Sequence, residues 1–159
     1  NVSPMIIERL RREQVFYSLP RNVEGPSTNP TQMHYGPKVL LLDQYSASDG
    51  DIFPYRFRHS GLGKLIGRRS WGGIVGIRGS LPFVDGGTLN RPEFASYAAD
   101  GSEWPVEGYG VDPDIEVFNN PADEYLGKDD QLDNAIEVIL EEVKSRKDIP
   151  APPAYPKKN

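Results

Sequence analysis

The sequence predicts an α/β domain, a mostly parallel core sheet flanked by helices. Three observations carry this expectation. Residues 38–42, Lys-Val-Leu-Leu-Leu, are a short apolar run bounded by Pro37 and Asp43, which reads as a buried strand of the parallel type. A turn of small residues follows at once and opens a helix, giving a strand–turn–helix unit. Near the end of the chain, Leu132, Ile136, Ile139, Leu140 and Val143 recur at helical spacing across residues 131–146.

The remaining elements follow in order. Ser3-Pro4 opens a helix running through Arg12, with Ser3 as its cap and Pro4 in its first turn. Ile6, Ile7 and Leu10 share its apolar face. Residues 18–37 hold four prolines among Asn, Ser, Thr and Gly, and read as a long surface loop. After the strand at 38–42, Ser48 or Asp49 caps a helix whose first turn Pro54 ends or kinks. Residues 61–80 alternate glycine with apolar residues, as short twisted strands do. Asp85-Gly86-Gly87 marks a hairpin over 81–88. Residues 94–97 and 104–109 are further strand candidates, and Val111-Asp112-Pro113-Asp114 is a turn leading into a strand at 115–118. Asp129 or Asp130 caps the last helix, and Lys144, Arg146 and Lys147 sit where the helix dipole favours cations. Residues 1–147 are expected to form one core domain and 148–159 an extended Pro-rich tail that leaves it.

Composition excludes several function classes. The 159 residues carry a net charge of -5, with no basic cluster, which argues against nucleic acid and anionic membrane as partners. The absence of cysteine rules out disulfides, thiolate metal sites and a cysteine nucleophile. No apolar run approaches the ~18 residues of a transmembrane helix. The 16 glycines and 15 prolines exceed ordinary usage without any collagen period. A chain that starts at Asn1 without a methionine is expected to be a fragment or a processed piece. No cofactor or metal is expected.

Ser48 is the sharpest candidate for chemistry. A serine between a buried strand and a helix start is held out at the strand end, and the amides after it can stabilise an oxyanion. The same position also suits a plain helix N-cap, and local pattern alone leaves both readings open. A serine nucleophile needs a base. His59 lies at the far end of the helix that Ser48 would start, roughly 16 Å away at ~1.5 Å per residue. His34 lies in the Pro-rich loop. The pairs Asp49/Asp51 and Asp112/Asp114 lack the spacing of a calcium loop and read as turn chemistry. The glycines of 61–73 form no phosphate-binding fingerprint. Glu107 either orients a catalytic hydrogen bond or faces solvent.

The motif Tyr45-Ser46-Ala47-Ser48-Asp49-Gly50-Asp51-Ile52-Phe53-Pro54-Tyr55 resembles the catalytic C-terminal domain of tricorn protease and its homologues. They belong to the serine peptidase family that includes the C-terminal processing proteases. Further matches fall in order across residues 37–140: Gly61-Leu62-Gly63-Lys64, Ser70-Trp71-Gly72-Gly73-Ile74-Val75-Gly76, Asp85-Gly86-Gly87, Val106-Glu107-Gly108-Tyr109-Gly110, and Gln131-Leu132-Asp133-Asn134-Ala135. The resemblance implies a ClpP/crotonase-like fold with Ser48 as nucleophile. It makes the Asp49 amide one oxyanion donor and Glu107 the residue that positions the catalytic hydrogen-bond network. The base would be a histidine of an upstream domain, not His34 or His59. The C-terminal processing branch carries a lysine where this chain has Gly73, so the chain fits the tricorn branch. Peptide substrates, upstream domains of a longer chain, homo-oligomers of hexameric kind and a cytoplasmic location are implied partners and place. A non-catalytic binding or scaffold domain of the same fold is the alternative.

Overall fold

The structure, a computed structural model, describes residues 2–155 and 157. The elements run α1 (Ser3–Leu10), β1 (Phe16–Ser18), β2 (Ser27–Asn29), β3 (Val39–Leu42), α2 (Asp49–His59), β4 (Lys64–Gly67), β5 (Gly76–Gly79), β6 (Asn90–Phe94), β7 (Ile115–Glu116), α3 (Pro121–Tyr125) and α4 (Asp130–Lys144).

The centre is a three-stranded parallel sheet in the order β3-β4-β7. β3 and β4 pair in register from Val39 with Lys64 to Leu42 with Gly67, and α2 supplies the crossover that parallel strands require. β7 joins the far edge of β4 through Ile66 and Ile115. Side chains alternate faces along a strand. Leu65 accordingly joins a core with Ile7, Leu42, Phe57, Val106 and Val111. Its neighbour Ile66 is also fully buried, and α4 packs against β3 and β4. The sheet is thus flanked by helices as expected.

Several local expectations are corrected. Ser3 does not cap α1 with its side chain. It lies inside the first turn, buried, and its Oγ accepts from Arg56 Nη1 at 2.8 Å. The cap comes from outside the helix: Asp49 Oδ2 accepts from the Val2 and Ser3 amides at 3.1 and 3.2 Å. Residues 18–37 are not a loop throughout, because β1 and β2 form an antiparallel ladder there. Pro54 does not end the first turn of α2. It is buried within the helix, which runs on to His59.

The hairpin exists, but its arms are β5 and β6, and Asp85-Gly86-Gly87 is only its tip. The strand expected at 94–97 therefore ends at Phe94, and the one at 115–118 shortens to Ile115–Glu116. Residues 104–109 hold no strand: 107–109 form a turn, and Val106 and Gly108 take positive φ. The apolar stripe of α4 points partly outward. Leu132, Ile136, Leu140 and Val143 are exposed, while Ala135 is the buried residue of that helix.

The tail does not leave the domain at its start. Pro150, Ala151, Pro152 and Pro153 line a cleft of about 210 Å³ with Tyr17, Leu19 and Pro26 of the first hairpin. Its residues 156, 158 and 159 lie outside the described residues.

Candidate active site

The loop from β3 to α2 is held by its own side chains. Asp43 Oδ1 accepts from the amides of Tyr45 and Ser46 at 2.9 Å each, and from Ser46 Oγ at 3.1 Å. This Asx arrangement turns the chain sharply at the carboxyl end of the parallel strand, where α/β sheets place their ligands. The chain then reaches Ser48 at φ 58°, ψ -110°. A left-handed φ at a residue with a Cβ costs of order 1–3 kcal/mol and persists only where surroundings enforce it. Among the described residues, two besides glycine have positive φ: Ser48 and Val106 at φ 76°. The second adjoins Glu107. Backbone strain thus falls on both segments that the sequence singled out.

Ser48 stands at the N-cap position of α2 and forms a capping box with Asp51. Within that box the Ser48 amide donates to Asp51 Oδ2 at 2.9 Å. Ser48 is exposed. The amides of Gly50, Asp51 and Ile52 bond back to Ala47 and Ser48 carbonyls, as a first helical turn does. The Asp49 amide follows the serine directly.

Asp51 is 0% exposed and organises the site. Besides the Ser48 amide it accepts from Gly72 N at 2.7 Å on Oδ1 and from Gly73 N at 3.1 Å on Oδ2. The amide of Trp71 donates to the Ser46 carbonyl at 2.9 Å. Residues 71–75 are therefore laced to the serine turn. The other side of that segment meets Glu107, whose Oε2 accepts from Ile74 N at 2.6 Å and Val75 N at 2.8 Å. Gly108 N donates to the Gly72 carbonyl at 2.7 Å. Gly72 sits at φ 89°, and a Cβ there would lie 2.5 Å from the Gly110 amide nitrogen, so only glycine permits this approach.

Ser48 and Glu107 thus belong to one hydrogen-bonded assembly, joined through Asp51 and residues 71–75. No direct hydrogen bond links them. Sequence reasoning placed Asp51 only in turn chemistry. Its signal was the capping-box spacing of Ser48 and Asp51, a hydroxyl followed three residues later by an acid. Val106 had no signal.

The Asp49 carboxylate faces away from this assembly, toward α1. Burial acts against its charge, but the hydrogen bonds from Ser3 and Val2 prevail and hold its pKa below the ordinary carboxylate value. Asp112 is also held low, by hydrogen bonds from Arg69 and Tyr109. Arg69 Nε meets Asp112 at 2.6 Å and its guanidinium lies 4.0 Å from the Tyr109 ring centre. Asp114 accepts from Arg58 and from the Leu65 amide. These contacts brace the turn that carries Glu107. Among the described residues no group of three or more His, Cys, Asp or Glu gathers to hold a metal.

Neither histidine is among the hydrogen-bond partners of Ser48 in the described residues. His59 is the last residue of α2 and its ring stacks on Tyr55 at 6.4 Å. His34 is exposed and precedes the start of β3, whereas Ser48 follows its end.

The fold and this turn define a class: an α/β domain that presents a serine on a strained strand-to-helix elbow. The chain belongs to peptidase family S41, whose family model matches residues 6–117. It is 44% identical over 144 residues to the tricorn protease of Thermoplasma acidophilum, covering 91% of this chain and 13% of that protein. A tricorn protease homologue of Saccharolobus solfataricus is 43% identical over 146 residues, covering 89% of this chain and 13% of the relative. The crystal structure of a tricorn protease superposes with a TM-score of 0.82 at 44% identity, over 90% of this chain and 14% of that one. The chain therefore spans about an eighth of the length of these relatives. No described helix is long and apolar enough to cross a membrane.

Proposed function

We propose that this chain is the nucleophile-bearing domain of a serine peptidase. Ser48 Oγ attacks the carbonyl carbon of a peptide bond while a base removes its proton. The oxygen of the tetrahedral intermediate takes a hydrogen bond from the Asp49 amide. The amine leaves with the proton returned by that base, and water hydrolyses the acyl-enzyme on Ser48. Glu107 holds residues 74–75 and through them the arrangement of the site. The base comes from an upstream domain, as it does in the family that the sequence resembles. Residues 1–147 act as the catalytic core and 148–159 as its tail. The full-length protein works on peptides, as a cytoplasmic homo-oligomer of hexameric kind.

The observation that carries this reading is the coincidence of strain and chemistry. The serine that matches the family's nucleophile is one of two strained residues besides glycine among those described, and it is exposed at the carboxyl end of the parallel strand β3. The test is peptide hydrolysis and fluorophosphonate labelling in the full-length protein. Ser48→Ala is expected to abolish both. Labelling that is absent from the unaltered protein would instead make this a non-catalytic binding or scaffold domain.

A further inference from the structure

We infer that Asp51 is a positioning residue for the reaction, a buried clamp that sets the nucleophile turn and residues 72–73 relative to each other. The inference rests on the reading of Ser48 as nucleophile and adds a residue to it. Three amide donors from two separate segments converge on one carboxylate with no exposure to solvent. The Ser48 amide and the Gly73 amide share Oδ2, and the Gly72 amide takes Oδ1.

This demand is specific to a carboxylate. An ionised aspartate offers acceptors on both oxygens, whereas an asparagine offers one oxygen and a donating NH2 group. In one orientation the NH2 would confront the Gly72 amide. In the other it would confront the amides of Ser48 and Gly73. Either way two donors meet in a buried place. The relief available is for the Ser48 peptide to rotate out of its strained φ, which moves the hydroxyl and the adjoining Asp49 amide together.

A second feature separates this clamp from an ordinary cap. A capping acid serves amides of its own helix end. Asp51 also receives Gly72 and Gly73, which follow it by about twenty residues. Residues 74 and 75, next along, are the pair held by Glu107. Asp51 therefore registers the elbow against the segment that Glu107 holds from its other side.

The test compares Asp51→Asn with Ser48→Ala in the full-length protein, reading kcat and KM separately. Asp51→Asn is expected to lower kcat about a hundredfold, the scale of a small misplacement of reacting groups, with KM little changed and fluorophosphonate labelling slowed in parallel. Circular dichroism at the assay temperature fixes the folded fraction against which kcat is expressed. If Asp51→Asn does not fold, Asp51→Ala with added formate takes its place. Formate restores two acceptor oxygens, and recovery of kcat with it is the expected result.

A folded Asp51→Asn protein with unchanged kcat overturns the clamp, and so does an Asp51→Ala protein whose kcat formate does not raise. Loss of turnover in Ser48→Ala beside full turnover in Asp51→Asn overturns the clamp alone. Full turnover in Ser48→Ala overturns the nucleophile, and the clamp falls with it.

Discussion

Asp49 holds two positions at once. Its amide follows Ser48 at the start of α2, and its carboxylate caps α1 across 46 and 47 residues of sequence. One residue thus ties the opening helix to the turn on which the proposed nucleophile stands. Removing a capping carboxylate typically costs ~1 kcal/mol, so Asp49→Ala is expected to lower the stability of this chain by about that amount in urea unfolding. The main chain keeps its amide in that variant. A change within a few tenths of a kcal/mol would mean that α1 is held by packing of Ile7 and Leu10 rather than by its cap.

At the scale of elements, the parts legible in the sequence are those where one local rule suffices. The apolar run before Asp43 is β3, and the helix after Asp129 starts where its cap lies, with Asp129 accepting from the Leu132 amide at 3.0 Å. The Ser48 elbow was legible because a strand, a turn of small residues and a helix start stand side by side. What was not legible depends on partners distant in sequence. Asp51 could not be told from a turn aspartate without Gly72 and Gly73. Residues 104–109 suit a strand by their aromatic residues, yet Val106 takes φ 76° with its side chain in the core.

The cap of α4 gives a prediction at this scale. The Leu132 amide and the Asn119 side chain hold the Asp129 pKa below its ordinary value. A carboxylate depressed on folding lends stability above its unfolded pKa of about 3.9, and that stability is lost as pH falls through the lower folded value. Acid unfolding followed by circular dichroism should therefore show a shallower low-pH limb in Asp129→Asn than in the unaltered chain, with the difference confined to pH below about 4. Identical limbs would mean that Asp129 does not couple folding to acid.

For the molecule as a whole, the proposed nucleophile has no histidine among its hydrogen-bond partners in the described residues. The chain has two histidines, and neither is shown hydrogen-bonded to Ser48. His59 closes the helix that Ser48 opens, and in sequence β3 lies between His34 and the elbow. The resemblance matches Gly73 to the lysine of the C-terminal processing branch, and here the Gly73 amide donates to Asp51. A serine without a base to take its proton keeps only the acceleration that oxyanion stabilisation and binding provide.

The 159-residue chain by itself is therefore expected to hydrolyse peptides at least roughly a thousandfold more slowly than the full-length protein, on the scale by which single catalytic groups act. Comparison of kcat/KM for the two on one fluorogenic peptide series measures this. The geometry of the elbow is set by Asp43, Asp51 and residues 71–75, all within the chain, so the isolated domain should still fold with the turn formed. Supplying the upstream region as a separate polypeptide should then restore turnover without any change in residues 1–159. Rapid hydrolysis by the isolated chain, abolished by Ser48→Ala, would place the base within these residues and overturn the division of labour between domains.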